Sequence, residues 1–122
     1  MPVRSLTSSV LKWPDLEQIH QVLDRWVKYQ VVQRPDIQRI GYFGSYARGD
    51  WGVGSDLDLI IIVDEDERPF SERSLAFDTS RFPLPVELIV YTLDEWRSLS
   101  ERSKEFCEAI EKEAVWLYES YG

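Results

Sequence analysis

The chain has one cysteine and one histidine in 122 residues. With Cys107 alone, neither an intramolecular disulfide nor a cysteine-rich zinc site can form. With His20 alone, catalytic arrangements that need two histidines are excluded. Basic side chains are also scarce: 14 Lys and Arg face 22 Asp and Glu, a net charge of −8. A polyanion repels such a surface, so a general nucleic-acid or anionic-membrane binder is not expected, although one small phosphate site can survive inside an acidic protein. Long apolar runs are missing too. The longest, Leu57 to Val63, is interrupted by Asp58 and falls far short of the ~20 residues of a membrane span. The N-terminal stretch MPVRSLTSSVLKWPD lacks the apolar core of a signal peptide. Together these absences predict a soluble, cytoplasmic protein with neither membrane nor nucleic acid as partner.

What is present is ordinary globular composition, 43% hydrophobic and 30% charged. No repeat, low-complexity tract or Gly/Ser linker divides it, so a single domain over residues 1–122 is expected. A chain of this size buries roughly two-thirds of its unfolded surface. Asp15 is placed to cap a helix in which Leu16, Ile19, Leu23, Trp26, Val27 and Val31 recur at helical spacing. Pro35 ends it, because the residue before a proline avoids the helical region. Ile37 to Phe43 reads as a strand, Tyr46 to Asp50 as one helical turn, and Trp51 to Gly54 as a loop. Leu57 to Val63 reads as a central strand covered on both faces. The acidic run Asp64 to Glu67 reads as a solvated turn. Phe70 to Arg81 is a weak helix candidate, and Val86 to Thr92 is a third strand. Asp94 is expected to cap a helix at Glu95–Leu99, and a last helix runs from Glu101 to Tyr118, with Phe106, Ile110, Ala114 and Leu117 on one face. The fold class is therefore α/β, a small mixed sheet flanked by helices.

The informative stretch runs from Gly41 to Leu59. A strand ends at Gly44 and a short helix begins at Ser45, which exposes backbone N–H groups at the positive end of a helix dipole. Gly44 has no side chain to hold an anion off, Ser45 adds a hydroxyl donor, and Arg48 offers a charged fork one turn on. This is a phosphate cradle without the lysine and spacing of a P-loop. Asp56 and Asp58 open the next strand, and alternate strand residues face the same way. Such an oxygen-rich pair suits Mg²⁺, which usually binds one or two carboxylates plus substrate phosphates. Glu87, an acid inside the apolar third strand, is the candidate third ligand or the acceptor of a proton from an attacking hydroxyl.

Gly44-Ser45, ten intervening residues and Asp56-x-Asp58 resemble the signature of the DNA polymerase beta-like nucleotidyltransferase superfamily. The short length is most similar to its minimal members, often encoded beside a HEPN-domain protein. The resemblance is specific over Ile40 to Val63, weaker at Glu87 and architectural elsewhere. It implies a nucleotidyltransferase fold and transfer of a nucleoside monophosphate, AMP from ATP, to an acceptor hydroxyl. It also implies two Mg²⁺ ions bound with the nucleotide, and an antitoxin role in which a tyrosine of a HEPN-type toxin partner is the acceptor. The candidate catalytic residues and metal ligands are Asp56, Asp58 and Glu87; the candidate nucleotide-binding residues are Gly44, Ser45, Arg48 and Ser55. Two departures stand out. The third carboxylate of the superfamily is commonly Asp, whereas Glu87 is one methylene longer, and larger relatives carry an acceptor domain that has no counterpart here. Two other readings stay open: a binding antitoxin with an idle fold, and transfer to a small-molecule hydroxyl such as that of an antibiotic.

Plainer roles are open to several of these residues. Arg48 suits a surface arginine closing the short helix, and Ser55 a turn serine. Tyr46 and Trp51 fit base stacking or ordinary packing. His20 suits a surface or half-buried helix position, and Cys107 a small core residue. Trp116 and Tyr118 fit a partner interface or terminal packing.

Overall fold

The computed structural model describes residues 13–120; residues 1–12, most of the stretch read above for a signal peptide, lie outside them. Asp15 starts helix α1 (Leu16–Gln33) by a reciprocal cap. Its carboxylate accepts the Gln18 N–H at 2.9 Å, and the Gln18 side chain accepts the Asp15 N–H at 2.9 Å. Ile19, Leu23, Trp26, Val27 and Gln30 are the buried stripe, and the helix stops at Arg34, before Pro35.

Strand β1 (Ile37–Phe43) leads through the short helix α2 (Ser45–Arg48) to strand β2 (Leu57–Val63), which pairs with it antiparallel. Strand β3 (Val86–Thr92) lies parallel to β2. Helices α3 (Leu93–Arg102) and α4 (Lys104–Glu113) follow, then strand β4 (Val115–Glu119), antiparallel to β1. The sheet order is β3-β2-β1-β4, the small mixed sheet expected. Both faces of β2 are covered. Leu57, Leu59, Ile61 and Val63 pack with the α1 stripe, Phe77 and Phe82, whereas Ile60 and Ile62 pack with Trp96, Cys107 and Ile110. That is why this strand reads as an unbroken apolar run. Asp58 shares the parity of Ile60 and Ile62 and lies at that face's open end. No helix among the described residues is long and apolar enough to cross a membrane.

The helix expected from Glu101 to Tyr118 does not exist as one element. Thr92, not Asp94, caps α3, accepting the Glu95 N–H while Glu95 accepts the Thr92 N–H. That helix runs longer than Glu95–Leu99, and α4 stops at Ala114, whose backbone is extended. Val115-Trp116-Leu117-Tyr118 is a β-branched and aromatic run, and the free edge of β1 recruits it as a strand. Trp116 joins the Trp96–Ile110 cluster, whereas Leu117 and Tyr118 pack on the α1 side. Phe106, placed on the packed face by helical spacing, is exposed, whereas Ile110 of that face and Cys107 are buried as expected. The Phe70–Ala76 segment is a 3₁₀ helix rather than an α-helix. It buries Arg73, whose guanidinium pairs with Glu95. Within the acidic run, Asp66 is no solvated residue. Its side chain is 4% exposed, held by the Arg68 backbone N–H and guanidinium and by Arg34.

At Gly41 strands β1 and β4 approach closely. A Cβ there would lie 2.8 Å from Trp116 Cε3 and 2.9 Å from the Val115 carbonyl oxygen, whereas at Gly52 it would meet open space. Gly41→Ala is expected to cost about 1–3 kcal/mol by forcing β4 away, and Gly52→Ala close to nothing. Urea midpoints of the two variants check this; equal midpoints would refute the tight β1–β4 contact.

Candidate active site

The chain leaves β1 at Phe43 and turns on Gly44, whose φ of +76° and ψ of −153° few L-residues tolerate. A Cβ on Gly44 would sit 2.1 Å from Asp58 Oδ2. The carboxylate therefore occupies the volume a side chain would need, so conformation and close approach both demand glycine. The β1–β2 register brings this about by pairing Phe43 with Asp58. Beyond Gly44, the Ala47 and Arg48 N–H groups each donate to its carbonyl at 3.0 Å. Gly49 closes the turn in the left-handed region at φ +85°, donating to the Ser45 carbonyl at 2.9 Å.

The third acid arrives through the other neighbour of β2. The parallel register pairs Asp58 with Glu87, and the Leu57 N–H donates to the Pro85 carbonyl at 3.0 Å. Glu87 is thus brought beside Asp58, and Asp56, two residues before Asp58, stands at the same strand end. Asp58 is half-buried, while Asp56 and Glu87 are exposed. Loss of water raises the Asp58 carboxyl from 3.8 to about 6; the Glu87 charge and a hydrogen bond to it, and the charge of Asp56, push the same way, with Arg48 opposing. Crowded carboxylates of this kind call for a cation. Among the described residues, no three His, Cys, Asp or Glu side chains converge tightly enough to hold an ion by themselves. Carboxylate oxygens of this kind would suit a hard divalent cation, with Asp56, Asp58 and Glu87 the residues to hold it.

The loop after α2 is anchored to the start of α1. The Tyr46 hydroxyl donates to the Pro14 carbonyl at 2.8 Å, and Trp13 Nε1 donates to the Ser55 carbonyl at 3.2 Å. Tyr46 is buried and its ring stacks on Trp51, with centroids 5.2 Å apart and planes 8° from parallel; each ring spends a face on the other. The Ser55 hydroxyl accepts the Gly52 N–H at 2.9 Å, closing the turn. Half-buried His20 meets the Tyr42 hydroxyl through Nε2 at 2.8 Å. Arg48 pairs with Asp50 and Glu113, each at 3.1 Å. Glu113 also accepts the Gly44 N–H at 2.8 Å. The sequence reading passes over Glu113 because it places the residue mid-helix; the signal was an acid at a helix C-terminus, where the dipole disfavours one.

The elevated Asp58 pKa has a consequence for the metal-free protein. Its folded form holds the proton more tightly than the unfolded chain, so the stabilising contribution is fully present below about 3.8 and is lost as pH rises through about 6. Asp58→Asn, which cannot ionise, is expected to melt higher than the wild type at pH 7.5 in EDTA, with the gain all but gone by about pH 3.5, below the unfolded value. Thermal melting at the two pH values checks this; the same difference at both would remove Asp58 as the source.

Known proteins resemble this chain in sequence and in fold. A family model described as a nucleotidyltransferase domain matches residues 24–117. MJ0141 of Methanocaldococcus jannaschii, which carries the name of a protein adenylyltransferase, is 30% identical over 59 residues, covering 48% of this chain and 60% of that protein. A Sulfolobus solfataricus protein described as a nucleotidyltransferase superposes with a TM-score of 0.60 over 85% of this chain and 83% of its own, at 19% identity. A toxin–antitoxin structure with AMP-PNP superposes with a TM-score of 0.50 over 80% and 73%, at 19% identity. These structural likenesses speak to the fold. With the family match extending from α1 into β4, across the glycine turn and all three acids, the chain belongs to the nucleotidyltransferase domain family.

Proposed function

We infer that this protein transfers AMP from ATP to an acceptor hydroxyl, and that the acceptor is a tyrosine on a HEPN-type toxin for which it serves as antitoxin. The observation that carries the chemistry is the three-strand register, which sets Asp58 against Gly44 on one side and beside Glu87 on the other. The named adenylyltransferase relative supports transfer of AMP to a protein. The toxin–antitoxin structure supports the partner class, because a protein of this fold occurs in such a pair with an ATP analogue.

Asp56, Asp58 and Glu87 are the residues to hold Mg²⁺, which when bound neutralises the phosphates and stabilises charge on the attacking and leaving oxygens. Gly44, Ser45 and Arg48 hold phosphate oxygens and orient the triphosphate. The acceptor oxygen bonds to the α-phosphorus as the bond from that phosphorus to the β-bridging oxygen breaks, and pyrophosphate leaves. Glu87 takes the hydroxyl proton on its carboxylate. It is exposed where Asp58 is half-buried, so an acceptor arriving from solvent meets Glu87 first. Ser55 keeps the turn before Asp56 closed, a positioning role.

Glu87→Gln preserves shape and removes the proton acceptor, so single-turnover transfer from α-labelled ATP to the toxin partner is expected to fall at least ~10²-fold with ATP affinity little changed. A wild-type rate would remove Glu87 from the reaction. Asp56→Asn combined with Asp58→Asn is expected to abolish transfer while the protein still melts cooperatively. Retained transfer would place the chemistry elsewhere.

A further inference from the structure

The two donors assigned above to a nucleotide phosphate, the Gly44 N–H and the Arg48 guanidinium, already serve one anion. Glu113 Oε2 accepts the Gly44 N–H at 2.8 Å, and Glu113 Oε1 meets Arg48 Nη1 at 3.1 Å. One carboxylate thus spans the cradle, with an oxygen on each donor as two phosphate oxygens would be. Glu113 is the last residue of α4, where carbonyl ends repel a carboxylate, and Asp50 competes for the same arginine at 3.1 Å. The Asp58 carboxylate also lies against Gly44, where a Cβ would be. Neither the carbonyl end of α4 nor these acidic neighbours favours an anion at this position; the Gly44 N–H and Arg48 are what hold it there.

We propose that Glu113 is an internal stand-in for phosphate that closes the cradle until a nucleotide displaces it, and that it thereby sets the affinity and the charge threshold of the site. The proposal rests on the nucleotide-binding role inferred above. A carboxylate carries one charge and a triphosphate several, and Glu113 is held on an exposed pair with its side chain 28% accessible, where ion pairs are weak. A triphosphate brought in with its cation therefore wins the donors, whereas a singly charged phosphate competes on nearly equal terms with a residue that is tethered in place. Apparent affinity falls by the fraction of molecules in which the cradle is open, so removing the internal anion strengthens binding without adding a contact.

The test uses the full chain and isothermal calorimetry with Mg²⁺·ATP and with Mg²⁺·tripolyphosphate, which lacks a base and sugar. Glu113→Gln and Glu113→Ala are each expected to bind both probes roughly tenfold more tightly than the wild type, as for a cradle open about one time in ten. Glu105→Gln removes the same charge from the exposed first turn of α4 and is expected to match the wild type. A second measurement needs no variant. In the wild-type protein the Gly44 amide resonance and the Glu113 side-chain carboxyl carbon resonance are expected to move together, at the same probe concentration. Unchanged or weaker binding in both Glu113 variants overturns the proposal while leaving ATP binding intact, as does a Gly44 resonance that moves while Glu113 stays still. An equal gain in Glu105→Gln also overturns it, by assigning the effect to net charge. If none of the four proteins binds either probe, the nucleotide-binding reading fails and the stand-in role fails with it.

Discussion

A carboxylate pressed into the space a side chain would take at Gly44 is the constraint on which the site depends. Asp58 Oδ2 occupies that space only because β1 and β2 pair in one register, Phe43 opposite Asp58. Slipping that register by a single residue turns Asp58 toward the α1 cluster and sends Leu57 or Leu59 out of it. The apolar residues of β2 prevent this, since both faces of the strand are buried by different partners. Core packing thus holds the acid in place, and the acid in turn restricts the turn to glycine.

The same end of the sheet carries an unfavourable charge balance. Asp58 lies among Asp56 and Glu87, and the arginine that opposes their effect on it, Arg48, is shared by Asp50 and Glu113. The energetic cost is met by the rest of the molecule: the two apolar clusters flanking the sheet and the Arg73–Glu95 pair beneath the 3₁₀ segment. Crowding at this end of the sheet disfavours joint ionisation of the acids.

Much of this was legible in the sequence, and the unread parts share a cause. The glycine–serine turn, the alternating aspartates and Glu87 within an apolar strand could be found because local alternation and turn chemistry determine them. The extent of α1 was equally plain, since Asp15 and Pro35 bracket it. The C-terminal part was misread as one helix because Phe106, Ile110, Ala114 and Leu117 fit a helical period, although Val115 to Tyr118 has the composition of a strand. What decided between them was the open edge of β1, a long-range partner that no window of sequence contains. Glu113 stayed hidden for the same reason, as its role follows from where α4 ends. Asp66 was read as solvated on charge alone, and the two arginines that hold it are distant or follow it in the chain.

The placement of β4 also affects how the protein is made. β1 lies between β2 and β4 in the sheet, yet its partners are synthesised far apart. A nascent chain that has emerged through Thr92 already owns the glycine turn, Arg48 and all three acids. It still lacks Glu113 and the strand that covers β1. During that interval β1 presents a row of unpaired backbone groups to its surroundings. The glycine turn, meanwhile, lacks the Glu113 carboxylate that accepts its N–H. Pairing of β4 makes β1 an inner strand, moves the sheet edge outward and brings Glu113 beside the cradle in a single step.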